Sequence, residues 1–299
     1  MKAIAEPIES TTSTPRSLVA VYSDLFKARL TFLVVLTTVV GFFVGTVGPI
    51  EPLLLTLTLV GTAMVASGAA ALNQYLERDH DTRMRRTASR PLPAKELSPG
   101  HVLLVGALTS LIGLGLLQFG VNSLTALLGA ATLLSYLFVY TPLKRITTLN
   151  TIIGAIPGAL PPLMGWAAAR NDITLGGWSL FAILFFWQLP HFLAIAWLYR
   201  EDYARAGYVM LPVIDPDGVR TGSQALSHSL GLIPISLAPF ILGLVGPVYL
   251  FGALIAGIGM LVMAWKFSRA LSATSARRLF FASIIYLPLL LALMVLDKS

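Results

Sequence analysis

Nine apolar stretches of about 20 residues each constrain the fold of this chain more than any other feature. A helix of about 20 apolar residues can cross the roughly 30 Å hydrocarbon core of a bilayer. Only 12% of the 299 residues are charged and the mean hydropathy is +0.79, whereas about a quarter of a soluble domain is charged. We therefore predict an all-α bundle of nine transmembrane helices, at about residues 29–47, 52–77, 99–119, 122–140, 149–168, 177–199, 225–245, 247–268 and 277–296.

The Lys and Arg residues are divided unevenly between the two ends of the predicted bundle. With nine spans, 19 of the 21 fall on one side and only Arg170 and Lys298 fall on the other. Because loops that face the cytoplasm are enriched in Lys and Arg, the division predicts a cytoplasmic N-terminus and an outward C-terminus. The net charge of +7 therefore indicates a membrane topology and an anion site on one face, and not a nucleic-acid partner.

The predicted organisation is a single transmembrane domain, residues 29–296, that follows a loosely ordered cytoplasmic tail, residues 1–28. The tail has no apolar segment before a small-residue cleavage site, so we do not expect a signal peptide, and a bacterial plasma membrane is the expected location.

Two polar cytoplasmic loops, at about 78–98 and 200–224, follow spans two and six and each closes on Leu-Pro. This repetition suggests a duplicated four-helix unit. The sequence contains no cysteine, which excludes disulfides and thiolate chemistry.

The end of the second span carries the strongest functional pattern. Asn73, Glu77 and Asp81 are spaced four residues apart, so on a helix they lie within an arc of roughly 80° over about 12 Å. Two carboxylates and an amide oxygen on one face suit Mg²⁺, which is commonly bound by one or two carboxylates together with a substrate phosphate. We predict that these three residues are metal ligands, with Asp202 after span six as a further candidate.

Basic residues near these acids are candidates for binding an anion. Guanidinium groups bind phosphate oxygens bidentately, and a site that holds acids and arginines together fits a metal-bound diphosphate. The candidate diphosphate ligands are Arg29, Arg78, Arg83, Lys144, Arg145 and Arg200. The alternative is a solvated, ion-paired helix end that only anchors the topology, and it is strongest for Arg85, Arg86 and Arg90.

Tyr140 and Lys144 leave the fourth span on the same side as the acids. Lys144 can reach a phosphate, and the face of Tyr140 can stabilise a developing cation. The alternative is an interfacial aromatic residue beside a snorkelling lysine. The predicted catalytic set is Asp81, Glu77, Lys144 and Tyr140.

The sixth span carries Trp187, Gln188 and His191 toward its end, and His191 is a candidate for contact with a porphyrin. A histidine inside a membrane can bind such a ligand or transfer a proton, or it can be a packed, hydrogen-bonded group. The segment 215–218 is predicted to be a plain turn. The glycines of span five are predicted to allow close helix packing.

From about residue 25 to 296 the sequence resembles the UbiA-type intramembrane prenyltransferases. The first motif of that family, Asn-Asp-x-x-Asp-x-x-x-Asp, corresponds here to Asn73-Gln74-x-x-Glu77-x-x-x-Asp81. Gln74 and Glu77 therefore replace two of the family's aspartates. The resemblance implies a prenyltransferase whose first motif holds magnesium.

Two further elements refine the resemblance. In the second motif, Asp-x-x-x-Asp, only Asp202 matches because Leu198 occupies the partner position, which leaves one or two metal ions open. The Tyr-x-x-x-Lys element matches Tyr140 and Lys144. These departures, together with Trp-Gln-x-Pro-His-Phe at 187–192, resemble a heme-directed branch of the family. The resemblance implies that Trp187 and Gln188, like His191, are candidates for contact with heme.

This branch implies farnesyl diphosphate and protoheme IX as substrates and Mg²⁺ as the cofactor. Heme would be a substrate, alkylated at a vinyl group with addition of water to give a hydroxyethylfarnesyl heme. Membrane lipid surrounds the chain, and a heme A synthase is a candidate downstream partner. One alternative is a related enzyme that acts on a quinone or chlorophyll precursor. Another is a transporter, which the position of the charges at helix ends disfavours because transporter sites usually lie near the bilayer midplane.

Overall fold

The computed structural model describes residues 16–299, and within that range it consists of helices joined by turns, without strands. Nine helical spans in the described part are long and apolar enough to cross a membrane, which confirms the predicted number. They are α2 (Ala28–Gly45), α3 (Pro52–Asp81), α4 (Pro99–Gly120), a composite fourth span (Ser123–Leu143), α7 (Asn150–Arg170), α8 (Leu175–Leu198), α11 (Val219–Ile241), α12 (Pro247–Ala270) and α13 (Ala273–Leu296).

The fourth span is interrupted by a wider helical turn. It consists of α5 (Ser123–Leu134), a π-helical segment (Ser135–Tyr140) and α6 (Thr141–Leu143). The Thr141 hydroxyl donates to the Tyr136 carbonyl at 2.8 Å, across the turn where the helix widens. Single π-helical turns inside α-helices occur frequently at functional sites.

Large apolar side chains cover the outside of the bundle. Leu111, Phe251, Ile255 and Phe281 are examples, each more than half exposed. Such a surface would cause aggregation in water, but it matches the hydrocarbon of a bilayer, in which a helix satisfies its own backbone hydrogen bonds. The exposed apolar surface and the nine spans describe a multi-pass membrane protein.

The predicted tail is not loosely ordered throughout. Residues 1–15 lie outside the described residues, but α1 (Leu18–Leu25) forms within the remainder of the tail. The Ser17 hydroxyl caps its first turn by accepting from the Ala20 amide, and Leu25 is fully buried. The prediction was wrong here because a helix of two turns is too short to appear as an apolar span.

The predicted loop at 200–224 is also largely helical. It contains α9 (Arg200–Arg205), α10 (Leu211–Ile214) and the first turns of α11. The predicted turn at 215–218 is confirmed, and it also starts α11, because the Asp215 carboxylate accepts from the Thr221 amide and hydroxyl at 2.7 and 2.8 Å. This cap extends the seventh span beyond its apolar part, which begins near residue 225.

Helices α2 and α7 pack at backbone contact distance. A β-carbon at Gly41 would collide with the Pro162 carbonyl, and one at Gly165 would collide with the Thr38 carbonyl. The packing role predicted for Gly165 is therefore confirmed. Two other glycines of α7, Gly154 and Gly158, leave space for side chains and not for a helix backbone.

A group of contacts that we call the outer clamp closes the opposite end of the bundle. The Lys298 amine donates to the carbonyls of Phe43 and Thr46 at 2.6 and 2.8 Å, and the Arg170 guanidinium donates to the Gly45 carbonyl at 2.8 Å. These carbonyls at the end of α2 have no partner in the helix itself, and cations favour that end of a helix. The two basic residues that depart from the charge division are thus the residues that cap α2.

We expect Gly165→Ala to lower the free energy of unfolding by about 2 kcal/mol or more, because the added methyl group forces α2 and α7 apart. Gly259→Ala is the matched control, since no atom lies within 4 Å of a β-carbon at that helical position. Its effect should stay within about 0.5 kcal/mol. Thermal unfolding of both variants in detergent tests this expectation, and equal stability of the two would contradict the close packing.

Candidate active site

The three residues of the first motif form one buried stripe on α3. Asn73, Glu77 and Asp81 are 1%, 3% and 1% exposed. They lie four residues apart and therefore on one helix face. Burial of two carboxylates is costly unless cations and hydrogen bonds compensate for it, so their partners define the site. We call these three residues the acid stripe.

Each carboxylate of the acid stripe pairs with a cation from another segment. Glu77 Oε1 lies 2.8 Å from Lys144 Nζ, just after the fourth span. Both oxygens of Asp81 accept from Arg90 Nη1, at 2.9 and 2.8 Å. Arg90 comes from the chain after α3, which turns back because the Thr87 hydroxyl donates to the Asp81 carbonyl.

Asn73 is surrounded by three polar groups. Its Oδ1 accepts from Lys27 Nζ at 3.1 Å and from the Tyr136 hydroxyl at 3.2 Å. Its Nδ2 donates to the Thr141 hydroxyl at 3.1 Å. Lys27 occupies the turn between α1 and α2 with a positive φ of 46°. The predicted site residues did not include Lys27 or Tyr136.

Gln74 explains how Lys27 reaches the acid stripe. Its carboxamide donates to the carbonyls of Asp24 and Leu25 at 3.0 and 2.9 Å, which fixes the C-terminal end of α1. A carboxylate could not donate these bonds. The departure from the family motif at Gln74 therefore has a structural role in this chain.

Tyr140 lies beside the ammonium group of Lys144. The amine is 4.5 Å from the ring centroid, and the ring stacks on Tyr136 with 5.7 Å between centroids. A β-carbon at Gly154 would collide with the Tyr140 ring, so glycine is needed to seat this ring against α7. The predicted pairing of Tyr140 with Lys144 is present in the structure.

The three cations differ in how firmly they keep their protons. Burial, together with the positive charges of Arg90 and Lys144, lowers the pKa of Lys27 to about 7. Burial also opposes the charge on Lys144 and on Arg90, but Glu77 outweighs this and raises the pKa of Lys144, and Asp81 together with Glu77 raises the pKa of Arg90. The site therefore has two permanent cations and one that titrates near neutral pH.

The second candidate metal ligand is not gathered with the others. Asp202 is partly buried on α9 and pairs with Arg205 one turn later. In the described residues, no group of three or more Asp, Glu or His side chains is placed to hold a metal ion. The structure thus brings Asn73, Glu77 and Asp81 together and leaves Asp202 in a separate ion pair.

Five of the six predicted diphosphate ligands form no hydrogen bond or ion pair with the acid stripe. Arg29, Arg83 and Arg145 are exposed. Arg78 donates to the carbonyl of Tyr75, and Arg200 donates to the carbonyl of Trp197. Of the six predicted residues, only Lys144 pairs with the stripe. Arg90, for which a role as a topology anchor was the alternative prediction, also pairs directly with it.

The candidate porphyrin contacts lie on α8. Gln188 is buried against α7, where its amide donates to the carbonyls of Ala155 and Leu184 at 3.4 and 3.1 Å, and a β-carbon at Gly158 would collide with it. Trp187 and His191 form a separate group with α13. The Trp187 indole donates to the Ser283 carbonyl at 2.8 Å.

The nine-span bundle and its buried acid stripe agree with the intramembrane prenyltransferase class that the sequence predicts. The model of the UbiA prenyltransferase family matches residues 34–285, and the chain belongs to this family. It is therefore an enzyme, and family membership favours the prenyltransferase interpretation over a transporter.

Named relatives are similar over nearly the whole chain. Protoheme IX farnesyltransferase of Solibacter usitatus is 47% identical over 286 residues, which cover 93% of this chain and 98% of the relative. The protein of that name from Koribacter versatilis is 43% identical with full coverage of both chains. The mitochondrial protein of Arabidopsis thaliana is 38% identical over 93% of this chain and 64% of its own.

Solved structures share the fold at low sequence identity. A structure of digeranylgeranylglyceryl phosphate synthase has a TM-score of 0.79 at 16% identity, covering 93% of this chain and 98% of the other. A UbiA homologue from Archaeoglobus fulgidus bound to DMAPP and Mg²⁺ has a TM-score of 0.66 at 16% identity, with coverage of 92% and 99%. These similarities confirm the predicted helical membrane fold.

We expect Lys144→Met to lower the free energy of unfolding by about 3–5 kcal/mol, because it leaves the buried Glu77 carboxylate without its partner. Arg205→Met is the control, since Arg205 is 44% exposed and exposed pairs contribute about 1 kcal/mol or less. The double variant Glu77→Gln/Lys144→Met should recover part of the loss. Unfolding in mixed micelles measures the stability of all three variants. Equal losses of unfolding free energy for Lys144→Met and Arg205→Met would contradict a buried ion pair between Glu77 and Lys144.

Proposed function

We propose that this enzyme transfers the farnesyl group of farnesyl diphosphate to a vinyl group of protoheme IX. The bond between the farnesyl C1 and the diphosphate oxygen breaks, and a vinyl carbon bonds to C1. Water adds to the other vinyl carbon and loses a proton. The products are hydroxyethylfarnesyl heme and diphosphate.

The buried acid stripe with its cations carries this proposal. Carboxylates and cations buried together at one helix end are costly without a use. A metal-bound diphosphate offers partners to both, because the acids can bind the metal and the cations can bind phosphate oxygens. The buried pairs of Glu77 with Lys144 and of Asp81 with Arg90 are the contacts that such a ligand would exchange.

The residues present fit magnesium. Asn73, Glu77 and Asp81 supply only oxygen donors, as a hard cation requires, and they would hold the ion, with Asp202 as a candidate for a second one. When bound, magnesium stabilises the charge of the departing diphosphate.

The chain's own residues supply the rest of the proposed chemistry. Lys144 and Arg90 stay charged and can bind the diphosphate oxygens as negative charge develops there. The Tyr140 ring, held beside Lys144 and against Gly154, offers a π-face to the farnesyl cation. Exclusion of water by the apolar bundle would protect that cation until carbon attacks.

The names of the relatives support heme as the acceptor. Proteins named protoheme IX farnesyltransferase are 43–47% identical to this chain over most of its length. Trp187, Gln188 and His191 are our candidates for heme contact. A membrane-embedded farnesyl heme is a substrate that a heme A synthase could take over, so such an enzyme is our candidate downstream partner.

We expect the purified protein in lipid nanodiscs, given farnesyl diphosphate, Mg²⁺ and protoheme, to form hydroxyethylfarnesyl heme. Mass spectrometry measures the product, and reaction in oxygen-18 water should label its hydroxyl group. The same protein given 4-hydroxybenzoate should form no prenylated product. Absence of farnesylated heme, or prenylation of 4-hydroxybenzoate alone, would refute the heme proposal and support the quinone-precursor alternative.

Asp81→Asn tests the role of the acid stripe in this assay. Asparagine can still accept from Arg90 but lacks the negative charge, so turnover should fall by about 100- to 1,000-fold while the protein stays folded. Asp79→Asn is the matched variant, because Asp79 lies two residues away with its side chain 78% exposed. It should keep its activity, and equal activity of both variants would contradict the role of Asp81.

We also propose that the basic end of the bundle, with the acid stripe, faces the cytoplasm of a bacterial cell across its plasma membrane. The uneven division of Lys and Arg supports this orientation. Arg170 and Lys298, the two exceptions, have a capping role at the other end. An active site on this side would take a soluble diphosphate from the cytoplasm.

We expect a membrane-impermeant maleimide to label Asp172→Cys in intact spheroplasts but to label Arg277→Cys only after the membrane is opened. Both positions are exposed, at opposite ends of the bundle, and the chain has no other cysteine to react. Labelling is read by the mass of the modified protein. The reverse pattern would overturn the proposed orientation.

A further inference from the structure

His191 is held in one orientation by aromatic rings on both faces. Its ring stacks on Trp187 with 4.9 Å between centroids and an angle of 22°, and on Phe280 with 5.1 Å and 28°. Its Nδ1 lies 2.7 Å from the Ser283 hydroxyl on α13. A ring fixed on both faces and at one nitrogen presents its other nitrogen in a constant direction.

The hydrogen bonds of Ser283 determine which nitrogen of His191 carries the proton. The Ser283 hydroxyl lies 2.6 Å from the Phe280 carbonyl, and two oxygens so close would repel unless a proton lay between them. A hydroxyl has only one proton to donate. The bond between Ser283 and His191 must therefore use a proton on Nδ1, which leaves a lone pair on Nε2.

This lone pair is available to a ligand. Among residues 16–299, no Asp or Glu side chain forms an ion pair with His191, so nothing favours a second proton on the ring. Nε2 has no hydrogen-bond partner in the same range, and it is not among the polar atoms fully enclosed by protein. A neutral imidazole with a free nitrogen is a common metal ligand, and its other N–H is typically bound by a neighbouring acceptor.

His191 lies on the same helix as Gln188, which packs toward the acid stripe. His191 lies seven residues before the end of α8, about 10 Å along the helix, at the basic end of the bundle. Gln188, on the preceding turn, packs on Gly158 of α7, and Gly154 one turn away packs on Tyr140. These contacts link α8 at Gln188, through α7, to the ring beside Lys144, and His191 lies three residues after Gln188 on α8.

We infer that His191 Nε2 is an axial ligand of the iron of the acceptor porphyrin. This inference rests on the proposed function and adds to it how the heme is held. Because a porphyrin plane is perpendicular to its axial bond, the parallel rings of Trp187 and Phe280 would meet the porphyrin face with their edges, which is a favourable aromatic arrangement. His191 would then act as a positioning residue that fixes the iron while a vinyl group reacts elsewhere on the ring.

The test is titration of the purified full-length protein in nanodiscs with ferric protoheme, followed by absorption and electron paramagnetic resonance spectroscopy. Wild-type protein should show the signature of an imidazole-ligated heme. His191→Ala should lose that signature and regain it when free imidazole is added. His228→Ala is the matched control, since its ring binds the Gln224 carbonyl, and its spectrum should equal that of the wild type.

Metal-free protoporphyrin IX separates iron ligation from general packing. It has no iron to ligate, so His191→Ala should bind it within about twofold of the wild type while its affinity for protoheme falls by about tenfold or more. Retained binding of the metal-free ring also shows that the variant is folded. Ser283→Ala, which removes the acceptor for Nδ1–H, should keep the imidazole signature with an affinity for protoheme lowered by about tenfold.

The inference is overturned if His191→Ala keeps the wild-type heme spectrum, or if both porphyrins lose affinity equally. These outcomes are distinct from failure of the proposed function, which the product assay on the wild type measures separately. A wild type that forms farnesylated heme while His191→Ala keeps the spectrum would leave the proposed function intact and exclude only the iron ligation.

Discussion

Two buried ion pairs determine how the basic end of this bundle is assembled. Glu77 and Asp81 lie on α3, while Lys144 and Arg90 come from after the fourth span and from the chain that returns after α3. A buried carboxylate without its partner is strongly destabilising, so each pair fixes a segment that apolar packing in lipid would leave free to shift. The same groups are those that a metal-bound diphosphate would engage in our proposal. Stability and proposed chemistry therefore depend on the same atoms.

The sequence was sufficient to predict those parts of the protein that depend on a regular period. The nine spans follow from apolar length alone, and the shared buried face of Asn73, Glu77 and Asp81 follows from their four-residue spacing. Short helices were missed, because α1, α9 and α10 are each eight residues or fewer. The metal-ligand role of the stripe stays a prediction, and Asp202 pairs with Arg205 in the structure and not with the stripe.

The partners of the acid stripe could not be predicted from local patterns. Lys27 reaches Asn73, 46 residues later in the sequence, only because the chain takes a left-handed conformation at Lys27, next to the end of α1 that Gln74 binds. Tyr136 lies on the π-helical segment, whose wider turn changes the direction of every side chain after it. Arg90 resembles the arginines around it in sequence, and only the fold selects it as the partner of Asp81.

The outer clamp has a consequence for how the protein is made. Helix α2 is the first of the nine described spans to leave the ribosome, but Lys298, which caps it, is the second-to-last residue of the 299. The two carbonyls that Lys298 binds must therefore stay without this partner until all nine described spans have been translated. A chain that lacks Lys298 would contain all nine described spans and still present two uncapped carbonyls at the end of α2. The end of the first described span therefore depends on a residue that follows the last one.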